Sequence, residues 1–324
     1  MRTGAPPGPP GSPAGERSGK DSEGVEEWRA VSRVLKSTRR VARTVFDDLV
    51  TTFFPADCSA CGGPLLSAGY SSLCDSCLDE LRAQTGVLCV RCGEALDIDG
   101  VRLAGQFGGE GLLCTPCRLA PPLFERAAAW GVYEDEMRQL IHMLKYERMR
   151  SAAQPLGTLL ARVIEMLGDG GDSVDAMGHD AVVMAVPLFP PKERQRGYNQ
   201  SVLLADVAVN ELRRSMGEWR LHAAHGAIRR TRNTESQFGL TPSGRRRNLS
   251  GAFTVVDPEA VAGREVLLVD DIYTTGATAR ECARVLRQAG AAKVWVATVS
   301  RAQREMVATW EMKQAAETAA WDAG

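Results

Sequence analysis

The apolar positions of this chain change period along its length, and the changes mark out the elements. AAAWGVY at 127–133 is a short apolar run that predicts a strand, and EDEMRQLIHMLKY at 134–146 switches to the spacing of an amphipathic helix. A second helix is expected from about 153 to 167. AVVMAVP at 181–187 predicts a strand buried on both faces, SVLLADVAVNELRR at 201–214 its crossover helix, and EVLLVD at 265–270 another central strand that stops near Asp270. A helix from Ala277 to Gln288, closed by Gly290, and a strand KVWVATV at 293–299 complete the series. Strands alternating with helices in this way specify an α/β fold whose mostly parallel sheet is covered on both faces.

The flanks read differently. Residues 1–24 are rich in Pro, Gly and Ser without periodic apolar positions, which predicts a disordered tail. The segment 25–55 predicts an amphipathic helix, with Val31, Val34, Leu35, Val41, Val45, Phe46 and Leu49 on one stripe beside an Arg/Lys face. Packing against the folded chain is the expectation, with binding to anionic lipid as the alternative. Residues 302–324 have helical composition and a loose apolar pattern, to which no chemistry attaches. Between the flanks, residues 56–120 hold most of the cysteines and 121–301 the alternating elements.

Composition adds bounds. The 324 residues are 44% hydrophobic, enough for a substantial core, and the formal net charge of -1 gives no global attraction to nucleic acid or membrane. No apolar run approaches the roughly 20 residues of a membrane span, and no secretory leader is evident, so a cytoplasmic location is expected.

Eight of the nine cysteines form four CxxC pairs: Cys58/Cys61, Cys74/Cys77, Cys89/Cys92 and Cys114/Cys117. CSACGG and CVRCGE place glycine directly after the second thiol, a turn that aims two thiolates at one metal. Two four-thiolate zinc sites are expected, paired successively or interleaved, and structural because no position is left for water. Redox pairs and iron–sulfur ligation are weaker readings: a thioredoxin-like site needs one pair at a strand-to-helix junction. Cys282 stands apart as an expected inert thiol in the last helix. His142 lies on an apolar-faced helix and is expected to pack or hydrogen-bond, while His179, His222 and His225 lack metal spacing.

VLLVDDIYTTGAT at 266–278 ends a hydrophobic run with two carboxylates and a glycine turn into a helix. Ligands of open α/β sheets bind at such a carboxyl edge. Asp270 and Asp271 suit a ribose diol with an accompanying divalent cation; Thr274, Thr275, Gly276, Ala277 and Thr278 suit a phosphate dianion at the helix start. The order of these residues is neither a Rossmann fingerprint nor a P-loop. A solvated strand end is the bland alternative.

This stretch resembles the type I phosphoribosyltransferases, in which such a segment binds 5-phosphoribosyl 1-pyrophosphate (PRPP) with Mg2+. The ordered set of four CxxC pairs, LKYERM at 144–149, VPLFPPKERQRGYNQS at 186–201 and RRTRNTESQFGLTPSGRRRNLSGAF at 229–253 is similar to the ComF family of competence-associated proteins, over about residues 45 to 301. The resemblance implies a type I phosphoribosyltransferase-like domain preceded by a double zinc-ribbon module. It also implies a pyrophosphate loop with backbone groups near Leu188 and Phe189 and positive charge from Lys192, Arg194 and Arg196. Asn199 and Gln200 are then suited to orient the loop or cap the next helix. Arg232, Thr234, Gln237, Arg247 and Asn248 match a segment that resembles the mobile loop closing over PRPP in amidophosphoribosyltransferases. Asp270, Asp271, Arg196 and Arg232 are thereby the candidate catalytic residues.

Residues 229–247 carry six arginines against one glutamate, which also suits the backbone of single-stranded DNA, although interleaved aromatics are few. Purine-salvage relatives often carry an aspartate where this loop has Thr274, so the acceptor of any transfer is left open. The resemblance implies a PRPP-binding protein that assists uptake or processing of single-stranded DNA, with a competence helicase or recombination mediator as partner. A catalytically active phosphoribosyltransferase of nucleotide salvage or biosynthesis is the alternative.

Overall fold

The computed structural model describes residues 57–58, 61–65, 73–96, 112–169, 176–215, 217–233 and 249–303. The tail, the 25–55 helix and the 302–324 segment expected from sequence thus fall almost wholly outside the described residues, as do Thr234, Gln237, Arg247 and Asn248.

In chain order the helices are α1 (Asp75–Asp79), α2 (Thr115–Leu119), α3 (Asp135–Tyr146), α4 (Ala153–Gly168), α5 (Pro190–Arg196), α6 (Gln200–Ser215) and α7 (Ala277–Gln288). The strands are β1 (Arg126–Val132), β2 (Asp180–Ala185), β3 (Arg220–Ala223), β4 (Ile228–Arg230), β5 (Phe253–Val255), β6 (Glu265–Tyr273) and β7 (Lys293–Arg301). Five strands form a parallel sheet in the order β1-β7-β6-β2-β3, while β4 and β5 make a separate antiparallel pair.

The central strands read as continuous apolar runs because both faces are covered. Val183, Leu267, Val269, Trp295 and Ala297 meet α3, α4 and α6 on one face; Val182, Met184, Val266, Leu268 and Val296 meet α7 and the β4–β5 pair on the other. Strand β6 runs three residues past the expected stop at Asp270, because Asp270, Ile272 and Tyr273 stay in register with Thr298, Ser300 and Arg301 of β7.

Strand β1 would be an open sheet edge, which favours unwanted pairing. Residues 81–96 of the cysteine-rich segment cover it. Arg91 accepts from the Ala127 N–H at 2.9 Å, the Gln84 N–H donates to the Trp130 carbonyl at 2.7 Å, and the Trp130 indole donates to the Leu81 carbonyl at 3.2 Å. Contact is close enough that a Cβ on Gly131 would lie 2.6 Å from the Arg82 carbonyl oxygen.

Candidate functional site

Both cysteine groups are assembled, and the pairing is successive. The Sγ atoms of Cys58, Cys61, Cys74 and Cys77 lie within 4.8 Å of one another, as do those of Cys89, Cys92, Cys114 and Cys117. Metal–sulfur bonds of about 2.3 Å in a tetrahedron separate the sulfurs by about 3.8 Å. The observed separations are 3.8 Å for Cys58–Cys77 and Cys61–Cys74 and 3.6 Å for Cys92–Cys114, so the residues fit zinc. Backbone N–H groups of Gly63, Cys74 and Cys114 point at Cys61, Cys58 and Cys89 sulfurs at 3.3–3.4 Å, as thiolates require. Four protein sulfurs leave no open position, which makes both groups structural.

The second polar cluster sits at the carboxyl ends of β2 and β6. Asp270 Oδ1 accepts from the Ser201 hydroxyl at 2.9 Å and from the Asp271 N–H at 3.0 Å. Asp271, 4% exposed, pairs with the Lys145 ammonium at 3.0 Å. Thus the last turn of α3, the first turn of α6 and the end of β6 converge on two carboxylates. Burial, followed by the neighbouring Asp271 charge, pushes the Asp270 carboxyl up to about 7, against the opposing pull of Lys145 and Ser201. Burial pulls the Lys145 ammonium down, but Asp271 and then Asp270 outweigh it and the net displacement is upward. Asp271 Oδ2 and the Thr275 hydroxyl are buried without a hydrogen-bond partner among the described residues.

Beyond the carboxylates the chain turns through half-buried Thr275 into α7. Gly276 caps that helix at φ 72, and a Cβ there would lie 2.0 Å from the Tyr273 hydroxyl, so the turn requires glycine on two counts. No side chain caps α7, and its first intrahelical bond, from the Arg280 N–H to the Gly276 carbonyl, leaves the preceding N–H groups for a ligand. Ala277 is buried, Thr278 half-buried and Thr274 exposed. Cys282, fully enclosed on α7, has a thiol raised well above its ordinary range by burial.

On the other side of the edge, Leu188 and Phe189 are half-buried in the turn between β2 and α5, with Phe189 at the α5 N-cap. Lys192 and Arg194 are exposed on α5. Arg196 turns toward the Gln200 side chain and lies 5.6 Å over the Tyr146 ring. Asn199 caps α6: its Oδ1 accepts from the Ser201 N–H at 3.0 Å, and its Nδ2 donates to the Val186 carbonyl at 2.9 Å. Arg232 donates to the Ser250 carbonyl at 2.7 Å, joining the two chain ends that flank residues 234–248. His142 lies outside the cluster, exposed and 3.2 Å from Glu147.

Sequence reasoning missed Lys145, Ser201 and Tyr273. Lys145 lies inside the LKYERM match and is the basic residue in the last turn of α3, but nothing local shows that it reaches a carboxylate on β6.

Residues 49–118 match the double zinc ribbon domain model, and residues 201–316 match the phosphoribosyl transferase domain model. Over 244 residues the chain is 33% identical to the DNA utilization protein YhgH of Escherichia coli O157:H7, covering 75% of this chain and 95% of that protein. It is 27% identical to Competence protein F of Haemophilus influenzae over 77% of this chain and 99% of that one. Competence protein ComFC of Bacillus subtilis is 26% identical, over 68% and 80%. With the ribbon cysteines gathered in two groups ahead of the parallel sheet, the chain belongs to the ComF family.

Proposed function

We propose that the chain binds PRPP, or a related ribose 5-phosphate, at the carboxyl edge of β6, and assists the uptake or processing of single-stranded DNA. The buried, unpartnered Asp271 Oδ2 and Thr275 hydroxyl carry this reading. Leaving such atoms unsatisfied costs about 1–3 kcal/mol each, and a sugar hydroxyl and a phosphate oxygen are the partners their positions suit. Asp270 and Asp271 accept from the ribose diol. The N–H groups at the start of α7, with the Thr275 and Thr278 hydroxyls, hold the 5-phosphate; Asp270 and Asp271 also serve the accompanying Mg2+, while Lys192, Arg194 and Arg196 balance the pyrophosphate charge.

The names of the relatives, which concern DNA utilization and competence, support the cellular half of the proposal. The arginines of 229–247 and the zinc-ribbon module supply the contacts to DNA, or to a competence helicase or recombination mediator. The first test is calorimetric titration of the zinc-loaded chain with PRPP, with and without Mg2+. Saturable, Mg2+-dependent binding that disappears in Asp270→Ala/Asp271→Ala is expected; unchanged binding in that variant overturns the assignment of the sugar site. Binding to single strands should weaken steeply with salt, and deletion of 231–247 should flatten that dependence. Pyrophosphate release with a defined acceptor would establish turnover as well.

A further inference from the structure

The second cysteine group is hydrogen-bonded by two arginines that belong to the sheet domain. Arg301, at the end of β7 and 2% exposed, donates to the Cys92 carbonyl and the Glu94 carboxylate, and its Nη2 lies 3.6 Å from Cys92 Sγ. Arg280, in the first turn of α7, places Nη2 3.7 Å from Cys117 Sγ while Nη1 donates to the Ala120 carbonyl at 2.5 Å. The same two residues touch the phosphate loop. The Arg301 guanidinium stacks 4.4 Å over the Tyr273 ring, whose hydroxyl sits where a side chain at Gly276 would be. Phe124, just after the ribbon segment, meets Tyr273 edge-on with centroids 6.4 Å apart. The Arg280 N–H closes the turn on the Gly276 carbonyl at 2.9 Å.

Four thiolates around one divalent cation carry a net charge of about -2, and partners outside the ligand set decide how tightly such a group holds its metal. Two guanidiniums offset that charge here. They are free to do so only while Tyr273 and the first turn of α7 keep the positions that shape the loop. By linkage, anything that strengthens one side of this bridge strengthens the other by the same factor.

We propose that Arg280 and Arg301 are positioning residues that couple metal occupancy at Cys89, Cys92, Cys114 and Cys117 to the order of the phosphate loop at 273–280. The coupling rests on the ribose-phosphate reading only for the identity of the ligand. Cysteine-to-serine changes at 114 and 117 remove the metal from the second group alone, and hydrogen exchange then reports the loop directly. Faster exchange at 273–280, with β2 and the first cysteine group as protected as before, is expected; unchanged exchange at 273–280 overturns the proposal. In the full-length zinc-loaded chain, a chromogenic chelator should extract one of the two metals about tenfold faster from Arg280→Met or Arg301→Met than from the parent. Arg280→Lys should recover part of the loss.

Arg280 is half-buried, so that pair of variants survives even if the buried Arg301→Met misfolds. Equal extraction rates in parent and Arg280→Met chains also overturn the coupling. Saturating PRPP should slow release of the same metal. Absence of PRPP binding to the intact zinc-loaded chain refutes the ligand reading, whereas binding without any effect on metal release refutes the coupling.

Discussion

At the scale of single residues, the site is defined by how its charges are compensated. Asp270, raised to about 7, binds its proton more tightly in the folded chain than in the unfolded one. Its contribution therefore favours the fold at low pH, declines as pH rises from the ordinary carboxylate range to about 7, and is absent above that. On the proposed binding mode a ribose diol would donate to the ionised carboxylate, so ribose 5-phosphate affinity should rise as pH passes through about 7, with proton uptake into buffer measurable by calorimetry. Lys145 makes a second prediction. Removing its ammonium leaves Asp271 buried beside Asp270, and Lys145→Met should cost about 3–5 kcal/mol in urea unfolding. Pairing it with Asp271→Leu should recover most of the loss, since an apolar pair removes the unpaired charge at 271 and its repulsion of Asp270. None of this was legible in the local sequence: the partners are separated by 126 positions, and only the fold brings them to 3.0 Å.

Among elements, the turn from Tyr273 into α7 is tightly constrained at Gly276. Gly276→Ala should lower ribose 5-phosphate affinity more than tenfold by titration, because positive φ and the Tyr273 ring both reject the methyl group. Tyr273→Phe should not rescue it, since the ring carbon that bears the hydroxyl would still stand 2.3 Å from the new Cβ. The motif 266–278 announced the loop because a strand, carboxylates, hydroxyls and glycine occur there in unbroken order. The apolar runs likewise revealed β2, β6 and β7, whose two buried faces leave no alternation to misread. The end of β6 was harder to place. A pair of aspartates ordinarily stops a strand, but here Ser201 donates to Asp270 and Lys145 pairs with Asp271 from neighbouring helices, and the ladder continues to Tyr273. Ribbon connectivity was equally open, since spacing alone does not distinguish successive from interleaved pairing of the same eight thiols.

Across the whole molecule, the ribbon segment closes the sheet as well as binding metal. Gly131→Val should push residues 81–84 off β1, and limited proteolysis should then cut near Arg82 faster than in the parent chain. No helix among the described residues is long and apolar enough to cross a membrane. The uncovered edge would offer its unpaired backbone groups to other strands. A cut at position 120 looks natural on a sequence map, yet it would pass through the contacts of Arg301 with Glu94 and Cys92 and strip the cover from β1. For anyone preparing the sheet domain alone, that means an insoluble fragment: it would inherit an orphaned buried cation and a sticky border, and its failure to bind ligand would say nothing about the intact chain.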